Sequence, residues 1–111
     1  MSKTGREKWV KMGVVGVDSG QLMIMDPCYV DSEWKKDDGS GEYGGGTYEQ
    51  CCKVTSSKKH GGQLKYELGH DGLGVAFATG LGDGTYEVWA RIGKYKDLGE
   101  RVKEVVIKLL P

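Results

Sequence analysis

Apolar residues in this chain recur mainly at every second position, in short runs punctuated by glycine and acidic turns. That spacing predicts strands, because successive side chains of an extended segment point to opposite faces. Residues Lys11 to Val17, with Val14, Val15 and Val17, read as a first strand. Asp18-Ser19-Gly20 then predicts a turn into a second strand, Gln21 to Met25, so the pair is expected to form an opening hairpin. Asp26-Pro27 ends the second strand, since proline has no N–H to give to a ladder. Tyr29 to Trp34 is expected to be a turn or a short helix.

From Lys35 to Gly46 no apolar period survives, and residues 35–46 are expected to be a mobile, solvated loop. Thr47 to Thr55 reads as a strand with Cys51 and Cys52 facing opposite sides, followed by a turn over Ser56 to Gly62. Gln63 to Leu68 places Leu64, Tyr66 and Leu68 on one face. Gly69-His70-Asp71-Gly72 closes it as a hairpin loop into Leu73 to Thr79, which is apolar enough to be central. The clearest alternation is Thr85 to Ile92, with Tyr86, Val88, Ala90 and Ile92 against Thr85, Glu87, Trp89 and Arg91. Arg101 to Leu110 is rich in β-branched residues and predicts a last strand.

Six or seven short strands with tight turns predict an all-β or mostly β chain, folded as an antiparallel sandwich or small barrel. Glycine supports this, since 19 of 111 residues suit turns and bulges better than helices. The length fits a single domain over residues 1–111, with residues 1–10 a polar, flexible opening segment.

Sixteen basic residues balance sixteen acidic ones, so no long-range field draws the chain to polymeric nucleic acid or an anionic membrane. Neither a signal peptide nor a membrane-spanning run is read. Cys28, Cys51 and Cys52 lack Cys-x-x-Cys spacing, which predicts reduced thiols and a cytoplasmic protein.

Candidate chemistry centres on two acidic turns. Asp26 ends one strand and Asp83, within Gly80-Leu-Gly-Asp-Gly-Thr85, precedes another, so neighbouring strands would bring the two carboxylates into one pocket. The simpler reading is that each accepts backbone N–H bonds in its own turn. The glycine run is no dinucleotide fingerprint, since it has Gly-x-Gly-x-Gly spacing and leads into a strand. Asp37-Asp38-Gly39-Ser40-Gly41-Glu42 lacks the ligand spacing of a calcium loop. A Cys28–His70 nucleophile and base finds no support in spacing; a small buried thiol and a locally hydrogen-bonded histidine are the plainer reading.

Nine Trp and Tyr residues against one Phe favour surfaces part buried and part wet. The function expected from the residues is non-catalytic binding of a small, nucleotide-like molecule, without a cofactor or a bound metal. Tyr29 and Trp89 would stack the ligand, Arg91 and Lys94 would neutralise its charge, and Asp26 or Asp83 would accept its hydrogen bonds. The site is expected between subunits of a homo-oligomer. Two alternatives stand beside it: a metal-dependent hydrolase using Asp26 and Asp83, with His70, around a hard cation, and a protein–protein interaction module built on exposed edge strands.

The pieces Asp18-Ser-Gly-Gln-Leu22, Asp26-Pro-Cys-Tyr29, Gly61-Gly-Gln-Leu-Lys-Tyr-Glu-Leu-Gly-His70, Gly72-Leu-Gly-Val-Ala-Phe77 and Gly82-Asp-Gly-Thr-Tyr-Glu-Val88 span most of the chain. In them it resembles a family of small bacterial and bacteriophage proteins of unknown function that carry Asp-Pro-Cys-Tyr and Gly-Asp-Gly-x-Tyr motifs. The resemblance brings no assigned catalytic residues. A phage source would imply sequestration of a host signalling molecule.

Overall fold

The structure is a computed structural model that describes residues 3–35 and 46–111. The expected loop over residues 35–46 lies, apart from its two end residues, outside the described residues. The chain is mostly β, as its alternation predicts. In order it runs β1 (Lys3–Val17), β2 (Gln21–Met25), a 3-10 turn (Pro27–Tyr29), β3 (Trp34–Lys35), β4 (Gly46–Thr47), α1 (Tyr48–Thr55), β5 (Gly61–Leu64), β6 (Gly74–Ala78), β7 (Gly84–Tyr95) and β8 (Gly99–Ile107).

Six of the strands make two antiparallel sheets of three, ordered β1-β7-β8 and β2-β6-β5, while β3 and β4 form a two-residue parallel pair. Each three-stranded sheet is open, which rules out the barrel; two separate antiparallel sheets are what the sandwich alternative requires. The sheets fall into two compact units, one built from β1, β7 and β8 and the other from Asp18–Asp83.

In the first unit β7 is central, and its pattern holds in space. Tyr86 and Ala90 are buried and Glu87 is exposed, as expected when one face of an antiparallel sheet is covered. β1 pairs with it from Lys3↔Tyr95 to Val17↔Gly84, with irregularities between Thr4 and Lys8 and between Lys11 and Gly13. The strand thus begins well before Lys11. Gly5, at φ 75°, takes a left-handed conformation at the first irregularity that a side chain would resist.

In the second unit β6 is central, as its apolar content predicts, and Leu64, Leu73, Ala76 and Cys51 form the core. Leu64 and Leu73 are fully buried and contribute about 1.5–3 kcal/mol each relative to exposure. Two glycines permit close approach of the three strands: a Cβ on Gly61 would stand 2.7 Å from the Ala76 carbonyl oxygen, and one on Gly74 only 2.6 Å from that of Ile24.

The structure corrects three further expectations about elements. β1 and β2 are not a hairpin: β1 pairs with β7 and β2 with β6, so Asp18-Ser19-Gly20 links two different sheets. Residues Tyr48–Thr55 form a helix, not a strand. Thr47 caps it by accepting the Gln50 N–H at 3.1 Å, Glu49 and Lys53 suit its two ends, and Cys51 and Val54 turn one side to the core. The strand expected over Gln63 to Leu68 is paired only to Leu64; Tyr66 and Leu68 lie in the connection to β6.

Candidate functional site

The antiparallel register of β2 and β6 decides the fate of the two acidic turns. Gln21 pairs with Ala78 and Met25 with Gly74, so Asp26 follows one end of the ladder while Asp83 follows the other. Five paired residues at about 3.4 Å each separate the two ends by roughly 14 Å. The expected common pocket is therefore corrected: Asp26 and Asp83 do not converge. Asp83 Oδ1 lies beside Gly20, at the start of β2.

Asp26 does what the simpler reading predicted. It caps the 3-10 turn, its Oδ1 accepting the Cys28 N–H at 3.0 Å. That bond holds the carboxyl below the usual carboxylate range, while the same carboxylate pushes the exposed Cys28 thiol up. A thiol held in its neutral form is a poor nucleophile, which weighs against the Cys28–His70 pair. His70 is stacked on Tyr66 with ring centroids 4.3 Å apart, and Tyr66 meets Tyr29 edge to face at 5.5 Å.

Trp89 and Arg91 do come together, on one face of β7. Pairing adds residues from both neighbouring strands to that face: Trp9 opposite Arg91, Lys11 opposite Trp89 on β1, and Val106 opposite Trp89 on β8. Lys94 falls at the opposite parity of β7 and leaves this group, since side chains alternate.

The two indoles are fixed by charged neighbours. The Trp89 Nε1–H donates to Glu87 Oε1 at 2.8 Å, and Lys11 Nζ stands 3.5 Å from Glu87 Oε2. The indole bond first, and then the Lys11 charge, hold the Glu87 carboxyl below its ordinary value. Lys108 Nζ lies 5.0 Å from the centre of the Trp89 ring, and Arg91 Cζ 5.6 Å from that of Trp9. Arg91 also bonds Glu7 at 2.8 Å and Glu104, while Lys103 reaches Glu7 at 2.6 Å. The Arg91 guanidinium is thus already matched by two carboxylates, and its Nε is buried without an acceptor. Its position suits holding Trp9 in place more than meeting a ligand's charge.

Trp9, Trp89, Val106 and Lys108 line a groove of about 400 Å³. Three of these four were missed by sequence reasoning, which found only Trp89, because cross-strand neighbours follow from register. The alternation Trp9-x-Lys11 was the available signal.

Among the described residues no three His, Cys, Asp or Glu side chains cluster closely enough to hold a metal ion, and no helix is long and apolar enough to cross a membrane. All three cysteines are free thiols. Comparisons with protein-family models, with curated proteins and with solved structures gave no match.

Proposed function

We propose that this is a non-catalytic binding protein whose Trp9–Trp89 groove takes a small, planar, anionic molecule of nucleotide-like chemistry. The observation that carries the reading is two indoles on one sheet face with lysine ammonium groups beside them. A base stacked on an exposed indole gains about 1–3 kcal/mol, and Val106 supplies apolar floor. Lys108, which lines the groove beside the Trp89 ring, is placed to meet a phosphate oxygen by a charge-assisted hydrogen bond. A volume of about 400 Å³ is in the range of small-molecule sites. The groove is built from β1, β7, β8 and Lys108, the residue that follows β8.

Sequestration of a signalling molecule by a phage-type protein would need binding without turnover, and free thiols fit the cytoplasm such a role requires. The hydrolase alternative loses its motivation, because Asp26 and Asp83 stand at opposite ends of one ladder.

Isothermal titration with AMP, GMP and a cyclic dinucleotide, against adenosine as the uncharged control, tests the reading. Saturable binding by a nucleotide, weaker for the nucleoside and lost in Trp89→Ala and Lys108→Ala, is expected. Equal binding by wild type and Trp89→Ala, or no binding by any of the three, overturns it.

An interaction module is the second reading, favoured by edge strand β8, where Val102 and Val105 are more than half exposed, at 57% and 56%. Self-pairing through β8 would make the homo-oligomer expected from the sequence. Light scattering that gives a monomer mass at every concentration, or a dimer that Val105→Lys leaves intact, removes it.

A further inference from the structure

A second concave surface belongs to the Asp18–Asp83 unit. Tyr29, Glu33, Tyr66, Glu67, Leu68 and His70 line an open cleft of about 480 Å³. Its walls are aromatic and are set at right angles: the planes of Tyr29 and Tyr66 meet at 89°, and the His70 ring lies over Tyr66 at 15°. Backbone bonds fix this stack, since the Tyr66 N–H donates to the His70 carbonyl at 3.0 Å and the Gly69 N–H to the Tyr66 carbonyl at 2.8 Å. From behind, both tyrosines pack on the Cys51, Leu64, Leu73 and Ala76 core. The walls are therefore held in place before anything binds.

What the lining contains, and what it lacks, specifies the ligand. The phenol rings of Tyr29 and Tyr66 and the Glu33 carboxylate attract positive charge, and neither lysine nor arginine lines the cleft. Leu68 is 93% exposed and leaves an apolar side chain open at the cleft. A hard metal ion calls for several oxygens at 2.0–2.6 Å, roughly, and no such cluster occurs among the described residues. A large, weakly hydrated cation with an apolar shell meets all three kinds of lining group at once: the phenol rings, the Glu33 carboxylate and the leucine.

We propose that this cleft is a binding site for an organic cation bearing a methylated ammonium group. Glu33 supplies the charge, Tyr29 and Tyr66 the aromatic walls, and Leu68 the contact with N-methyl groups. Tyr66 stays neutral across the physiological range, because its hydrogen bond with Tyr29 pushes its phenol up to about 12. The site is independent of the nucleotide groove, and either can fail without the other.

The probe is choline, followed by ¹H–¹⁵N NMR on the whole chain, with 3,3-dimethylbutan-1-ol as a control of the same shape and no charge. Choline is expected to shift the amide signals of Tyr29, Tyr66, Leu68 and His70 saturably and to bind at least about fivefold more tightly than the alcohol. Glu33→Gln should weaken choline about threefold to tenfold and leave the alcohol unchanged. Tyr29→Leu should also lose choline, but Tyr29 packs on the core, so the near-isosteric Glu33→Gln keeps the test decisive if Tyr29→Leu misfolds. Equal binding of choline and the alcohol, unaltered binding in Glu33→Gln, or the absence of saturable shifts at these residues overturns the proposal.

Discussion

Trp89 and Glu87, two positions apart on β7, share a 2.8 Å hydrogen bond from the indole Nε1–H to the carboxylate Oε1. The bond lies along one strand face and reads out the ionisation of Glu87. The folded carboxyl is held below its ordinary value, so the stability linked to it is fully present above the unfolded pKa and is lost as pH falls through the depressed folded value. The change in tryptophan emission that follows Glu87 protonation should therefore have its midpoint below the ordinary glutamate value. In Glu87→Gln that acid transition should vanish; a transition at the ordinary glutamate value in the wild type contradicts the geometry.

Tyr66 offers the opposite sign. Its phenol, pushed up to about 12 by the hydrogen bond with Tyr29, contributes stability that is complete below the unfolded value near 10 and fades as pH rises from there to the folded value. Ultraviolet absorbance in alkaline solution should show one tyrosine ionising near 12. Tyr29→Phe should bring that ionisation down toward the ordinary tyrosine value near 10, and a wild-type titration lacking any late-ionising tyrosine refutes the contact.

Gly74 lies where β6 passes β2, with the Ile24 carbonyl 2.6 Å from the position a Cβ would take. Gly74→Ala should destabilise the Asp18–Asp83 unit by about 1–3 kcal/mol, since backbone cannot yield as a flexible side chain can. Denaturant unfolding of the variant measures this; a midpoint equal to wild type disproves the close approach. Alanine at Gly16, where no heavy atom stands within 4 Å, is the matched control and should be far milder.

Removing the helix cap should be equally visible. Thr47→Ala deletes the acceptor of the Gln50 N–H in a buried position and should lower stability by about 1 kcal/mol, with Thr47→Ser retaining most of it. Thermal unfolding of the three proteins checks the order, which fails if Ser and Ala behave alike.

These residues also show what the sequence made legible. Alternation along β7 was readable because the period of two is local: Tyr86 and Ala90 go inside while Glu87 stays out. The helix was also legible in principle. Thr47-Tyr-Glu-Gln50 is a capping-box pattern, with Cys51 and Val54 three apart behind it, but the eye follows adjacent cysteines and a threonine toward a strand. Strand partners were not legible. Asp18-Ser19-Gly20 carries turn chemistry whether the chain reverses within a sheet or leaves it, and only long-range packing chooses. The candidate site inherited that gap. Trp89 with Arg91 survived because both lie on one strand, whereas Asp26 with Asp83 needed a register that no local pattern encodes. Trp9 could not be joined to Trp89 from the sequence, because its place on that face follows from the pairing of β1 with β7.

The pairing of β1 with β7 across the whole intervening Asp18–Asp83 segment also imposes an order of events. During synthesis the first strand is made long before its partner exists, while every strand of the β2-β6-β5 sheet is already available. The Asp18–Asp83 segment can therefore close first, and the β1-β7-β8 sheet, with its two tryptophans, waits for the chain's last quarter. The indole face is thus the last part of the fold to be completed.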